Sequence, residues 1–136
     1  HLIPLVLQVA LNQRDKILIY GNKYKTKDGT CIRDYIHIED LAQAHILSLK
    51  EGISGAFNLG NGTGFSVLEV IEVCKKITNH PIPFEIVEPR DGDAEILIAD
   101  SSKAYCQLGW RPKYPDLESI ISSAWNWHKN NPNGYN

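Results

Sequence analysis

Five stretches of the chain repeat apolar residues at helical spacing. Leu2, Leu5, Val6, Val9 and Ala10 fall at i, i+3, i+4, i+7 and i+8, one face of a helix. Pro4 suits a first turn, where a missing N–H costs nothing. Ile38, Leu41, Ala42, His45, Ile46 and Leu49 repeat the pattern, and Gly52 lies just beyond. Val67, Val70, Ile71, Cys74 and Ile77 form a third stripe, opened by Ser66 and Glu69. That Ser-x-x-Glu spacing is a capping box, which satisfies otherwise orphaned amides. A short helix fits Ser101 to Leu108, stopped by Gly109. The last stripe is Leu117, Ile120, Ile121, Ala124 and Trp127, with Asp116 as its cap. The segment after His128, rich in Asn, Pro and Gly, is not expected to continue it.

Short β-branched or aromatic runs fall between these helices: Ile17 to Tyr20, Cys31 to Ile36, Ala56 to Leu59, Phe84 to Val87, and Leu97 to Ala99. Each is flanked by turn residues, as strands are. Strands alternating with helices predict an α/β fold. Gly21 to Gly29, with Lys23, Lys25 and Lys27, reads as an exposed excursion between two strands. No internal repeat or low-complexity segment interrupts the pattern.

Composition narrows the class. Leu, Ile, Val and Phe together exceed the ~20% of positions below which disorder is common, and 10 glycines in 136 residues exclude collagen. A net charge of −2 argues against a general binder of nucleic acid or membrane surfaces, which carries a basic excess. No apolar run approaches the ~20 residues that span a bilayer, and none resembles a signal peptide. Three widely spaced cysteines, Cys31, Cys74 and Cys106, suit a reducing cytosol better than a disulfide framework. The chain has no Met and begins at His1 inside a helical pattern, so it is expected to be part of a longer protein.

One motif invites a dinucleotide site. Gly60-Asn61-Gly62-Thr63-Gly64 follows a strand and opens a helix. The fingerprint Gly-x-Gly-x-x-Gly needs glycine at position 65, for close helix–strand packing, and Phe65 stands there. Glu85 and Glu88 lie near the distance of a ribose-binding acid, which is weak support. The segment reads as a tight strand-to-helix turn with glycines at positive φ.

Other chemistry is sparse. There is no Tyr-x-x-x-Lys pair, no His-Glu-x-x-His, no Cys-x-x-Cys and no nucleophile elbow. His45 sits on an apolar face and reads as a satisfied core or interface histidine rather than a ligand. Trp110, Trp125 and Trp127 read as packing groups. Two arginines stand out. Strand alternation places Arg33, Tyr35 and His37 on one face with Asp34 opposite. Arg90 lies in Glu88-Pro89-Arg90-Asp91-Gly92-Asp93. Arginine forks fit phosphate oxygens, and a nearby Asp fits sugar hydroxyls. The alternative is that each Arg pairs with an adjacent carboxylate and only solvates the surface.

These residues resemble a known family. Asp28-Gly29-Thr30-Cys31-Ile32-Arg33-Asp34-Tyr35-Ile36-His37 followed by Asp40-Leu41-Ala42, then Phe57-Asn58-Leu59-Gly60, Arg90-Asp91-Gly92-Asp93, Leu108-Gly109-Trp110 and the aromatic ending Trp125-Asn126-Trp127-His128 with Pro132-x-Gly134-Tyr135, are similar in order to the UDP-glucose (UDP-galactose) 4-epimerases. These belong to the extended short-chain dehydrogenase/reductase superfamily. The resemblance spans all 136 residues but only the C-terminal part of the family. It implies residues 1–136 as a UDP-sugar-binding portion, with segment 35–60 packing against an N-terminal Rossmann domain. That domain, absent here, carries the NAD site and the catalytic Tyr-x-x-x-Lys. The fragment alone is expected to be inactive, with no cofactor or metal of its own.

The resemblance also implies roles. Leu18, Ile19 and Tyr20 resemble the strand that contacts uracil, partly through backbone groups. Arg33 and Arg90 resemble the diphosphate clamp, and Asp93 the ribose-binding acid. Val67 resembles an apolar contact near the uridine, and Tyr35 adjoins this surface. Leu2 resembles the end of an Asn-Leu pair near the phosphates, with His1 in place of the Asn. Leu97 falls where family members vary near the sugar 2-substituent, which implies room for N-acetyl sugars. The implied substrates are UDP-glucose and UDP-galactose, the implied intact enzyme a cytoplasmic NAD-dependent homodimer. Loss of the first domain is expected to expose apolar surface through which the fragment self-associates. The alternatives are another nucleotide-sugar dehydratase, decarboxylase or epimerase of the superfamily, or a stand-alone nucleotide-binding module.

Overall fold

A computed structural model describes residues 1–135; Asn136, the last residue of the expected 1–136 unit, lies outside the described residues. The elements run α1 (Leu2–Ala10), β1 (Ile17–Tyr20), β2 (Ile32–Arg33), α2 (Ile38–Ser48), β3 (Phe65–Ser66), α3 (Val67–Thr78), β4 (Phe84–Val87), β5 (Ile96–Leu97), α4 (Ser102–Leu108) and α5 (Leu117–Asn130). The fold is α/β, with all five expected helices present.

The main core lies where α1, α3 and α5 meet β1. Val6, Leu7, Ile19, Val70, Ile71, Cys74 and Ile121 are its most deeply buried members. The apolar stripes of the three helices face one another there, which is the driving force for their association. Strand β1 pairs in parallel with β4, from Ile17 opposite Phe84 to Tyr20 opposite Val87. A second, three-stranded sheet has the order β3-β2-β5, antiparallel on one side and parallel on the other. A smaller core joins α2 to α4 around Ala44, Ala104, Leu108 and the wholly buried Trp110.

The predicted caps form. Ser66 accepts from the Glu69 N–H while the Glu69 carboxylate accepts from the Ser66 N–H. Asp116 caps α5 through the Ser119 N–H at 2.7 Å. Gly109 ends α4 at φ 66°. Helix α5 runs to Asn130, two residues past His128, before Pro132 stops it.

The strands differ more. Residues 56–59 form no strand; the described hydrogen bonds here come from side chains, Lys103 Nζ to the Ala56 carbonyl and Ser101 Oγ to that of Gly60. The expected strand 31–36 is reduced to Ile32–Arg33, because the chain then turns about Asp34. The Asp34 carboxylate accepts from the N–H groups of Asn61, Gly62 and Ala99 at 2.9, 3.0 and 3.2 Å. The Ala99 bond also explains why β5 ends at Leu97 rather than Ala99. Strand β3 was not foreseen, being only two residues long.

The glycine turn is corrected in part. Only Gly62 has positive φ, at 72°. Gly60 and Gly64 are there for close approach: a Cβ on Gly60 would lie 2.4 Å from Asp34 Oδ2, and one on Gly64 2.3 Å from Ile32 Cγ2.

Candidate functional site

Strand β1 presents its two faces differently. Ile17 and Ile19 enter the core, whereas Leu18 and Tyr20 look outward. The start of α1, this outward face, β2 and the loop carrying Arg90 and Asp93 border a cleft of about 350 Å³. That volume is within the ~300–1,000 Å³ of small-molecule sites.

Nine of the ten expected site residues border this one cleft: Leu2, Leu18, Ile19, Tyr20, Arg33, Tyr35, Val67, Arg90 and Asp93. Ile19 does so with a side chain only 1% exposed, held in the core. Leu97 is not among them. It pairs with Arg33 across β5 and β2 yet is 57% exposed, outside the cleft. His37, expected on the face of Arg33 and Tyr35, is also elsewhere. It caps α2, accepting from the Glu39 N–H at Nδ1, and its Nε2 lies 2.8 Å from Ser123 Oγ. His45 is exposed, its Nδ1 2.8 Å from the Leu41 carbonyl, so it is no core histidine.

The polar end of the cleft is built from long-range partners. Arg33 does not pair with neighbouring Asp34, which is committed to backbone amides. It forms an ion pair with Asp93, sixty residues away in sequence, and its Nη1 donates to the Ile32 carbonyl at 2.8 Å. Asp93 is placed by a turn in which its N–H donates to the Arg90 carbonyl at 3.2 Å. Its other oxygen faces the Cys31 thiol at 3.8 Å. Arg90 lies over the Tyr20 ring, Cζ 3.7 Å from the centroid, a cation–π geometry. The reading in which each arginine pairs with an adjacent acid therefore does not describe this structure.

Several residues of the motifs serve the scaffold. Asp28 accepts from the Thr30 N–H at 2.9 Å and from the hydroxyls of Thr30 and Ser66. Burial raises its pKa, but the Ser66 and Thr30 donors outweigh it and the net shift is down. Asp40 accepts from the Lys113 and Tyr114 N–H groups, and its carbonyl accepts from the Trp110 indole at 2.9 Å. The Asp28 bonds tie the segment leading into β2 to the start of α3, and the Asp40 bonds tie residues 110–114 to α2.

Burial pushes the Tyr35 hydroxyl up to about 12, only partly opposed by the Arg33 charge. It therefore stays protonated and can donate. No cluster of three or more metal-ligating side chains occurs among the described residues. Sequence reasoning missed Leu5, Arg14, Ile17 and Cys31, which also border the cleft. Arg14 follows α1 in a polar turn, and nothing in its neighbours distinguishes it from a solvated residue.

The start of α3, where a dinucleotide pyrophosphate would sit, is already filled. The Val67, Leu68 and Glu69 N–H groups donate to the Cys31 carbonyl, Thr30 Oγ1 and Ser66 Oγ. The residues present do not fit a dinucleotide at this turn.

Comparison with known proteins adds a relationship. Residues 1–123 match the family model described as GDP-mannose 4,6 dehydratase. The chain is similar to the UDP-glucose 4-epimerase of Halalkalibacterium halodurans, 61% identical over 99% of this chain and 42% of that protein. It is 51% identical to the Streptococcus mutans enzyme of the same name, over 99% and 42%. A crystal structure of a UDP-glucose 4-epimerase superposes with TM-score 0.95 at 56% identity, covering 100% of this chain and 43% of that one. The Bifidobacterium longum epimerase in complex with NAD⁺ and UDP gives 0.91 at 40% identity, over 99% and 41%. The chain thus spans about two fifths of the length of these relatives. No helix among the described residues is long and apolar enough to cross a membrane.

Proposed function

Because the chain belongs to the GDP-mannose 4,6 dehydratase family of extended short-chain dehydrogenases/reductases, we propose that it forms the UDP-sugar-binding portion of a UDP-glucose 4-epimerase. The intact enzyme would interconvert UDP-glucose and UDP-galactose by NAD-mediated oxidation and re-reduction at sugar C4. The observation that carries this is the convergence of Arg33, Arg90, Asp93 and Tyr20 on one cleft. Two guanidinium groups suit a diphosphate, a carboxylate suits ribose hydroxyls, and the outward face of β1 suits a flat base.

NAD would be bound outside this chain, since the glycine turn is closed by the chain's own bonds. The residues here would hold and orient the nucleotide end while the sugar is turned over elsewhere. Segment 35–60 would meet the remainder of a cytoplasmic homodimeric protein. In support, Ile38 and Ile46 on α2 and Leu49 just past its end are 74, 62 and 84% exposed. Leu97 would leave room for an N-acetyl substituent, which turnover of UDP-N-acetylglucosamine by the full-length protein tests.

Titration calorimetry with UDP and, separately, NAD tests the binding assignment. UDP should bind this chain and NAD should not. Binding of NAD without UDP would overturn the proposal and reinstate the glycine turn as a nucleotide site.

A further inference from the structure

Arg90 stands on the exposed loop after β4, and among the described residues its guanidinium forms no ion pair. An aromatic ring fixes it instead. Strands β1 and β4 run parallel with Tyr20 opposite Val87, and the Gly21 N–H donates to the Val87 carbonyl at 2.9 Å. The two chains stay close beyond that bond, since a Cβ on Gly21 would lie 3.0 Å from Pro89 Cβ. This pairing brings Arg90 back over Tyr20, with Cζ 3.7 Å from the ring centroid. The five N–H donors of a guanidinium lie in its plane. A ring face under Cζ holds the charge without consuming those donors. Arg90 therefore keeps its charge and its N–H edge for a ligand, and it gives up rotamer freedom before the ligand arrives. Binding then costs less ordering.

We propose that Tyr20 is a positioning residue, whose ring presents the Arg90 guanidinium to an incoming diphosphate. This rests on the reading of the cleft as a nucleoside-diphosphate site, and it gives the Tyr20 side chain a task apart from the base. The ring face under Arg90 is taken. Leu18, on the same outward side of β1 and 40% exposed, is left to meet the base. Tyr20 thus acts on phosphate affinity through Arg90, and its loss should be felt only by ligands that carry phosphate.

The test measures UDP by calorimetry and uridine by ligand-detected NMR on the full-length protein. Tyr20→Leu should weaken UDP about threefold or more and leave uridine within about twofold. In an Arg90→Ala background the same change should cost less than about twofold further. Tyr20→Phe carrying one, two or three ring fluorines adds a graded readout. Fluorines drain negative charge from the ring face with little change of shape, so UDP affinity should fall stepwise while uridine stays level. Should Tyr20→Leu fail to fold, the fluorinated series carries the test alone. Equal losses for UDP and uridine would make Tyr20 a base contact and overturn the positioning role. So would losses that add in the double variant, or a UDP affinity indifferent to fluorination; the site reading stands in each case. If the wild type fails to bind UDP, the site reading itself is overturned.

Discussion

Arg33 and Arg90 reach the same cleft by different routes, one through an ion pair and one through a ring face. Truncating either removes a charge-assisted donor, worth roughly 1.5–3 kcal/mol. Arg33→Ala and Arg90→Ala should therefore each weaken UDP binding about tenfold or more by calorimetry, and an unchanged affinity in both would remove the clamp assignment. Cys74 shows a different consequence of position. It is fully buried between α3 and its neighbours, and burial pushes its thiol from 9.0 up to about 12. The folded state thus holds the proton more tightly than the unfolded one. Its contribution is present in full below pH 9.0 and is lost as pH rises toward 12. The urea midpoint should be flat from neutral to weakly alkaline pH and then fall, and the fall should be shallower in Cys74→Val. Equal slopes in the two proteins would assign the alkaline limb to other groups, Tyr35 first among them.

The turn built on Asp34 decides where two strands end. One carboxylate accepts amides from the glycine segment and from the residue beyond β5, and it closes β2 after two residues. Asp34→Ala would strand these amides at a cost of about 3 kcal/mol in all; Asp34→Asn should be milder, since its carbonyl oxygen still accepts. Chemical denaturation of the two variants checks the order. This arrangement also explains what could be read from the chain. The helices were legible because each carries its own apolar stripe, and α3 and α5 also carry local caps, Ser66 with Glu69 and Asp116 with Ser119. β1 and β4 were legible as four-residue β-branched runs. The limits of β2 and β5 were not, because they are set by Asp34, and its partners lie up to 65 residues away. Likewise Arg33 and Arg90 were legible as chemistry, but the pairing of Arg33 with Asp93 across sixty residues was not.

Taken together, the molecule has two cores of unequal size and an exposed apolar set along α2. Ile38 and Ile46 lie on α2 and Leu49 just past its end, and the helix contributes only to the smaller core with α4. Exposed patches of this kind mark contacts in a larger assembly. The isolated chain should bind an apolar dye and self-associate in light scattering, and the double variant Ile46→Lys, Leu49→Lys should reduce both. A monodisperse chain with no dye signal would show that the patch is too small to matter. The main core has a further consequence, for synthesis on the ribosome. Helix α1 is made well before its partners on α3 and α5, and β1 waits for β4 across the whole intervening segment. At about 5–20 residues per second, α1 emerges roughly 5–20 s before Ile121 is available. A nascent chain stalled before α5 should therefore remain sensitive to protease at α1 and attractive to chaperones, and release of the finished chain should end both.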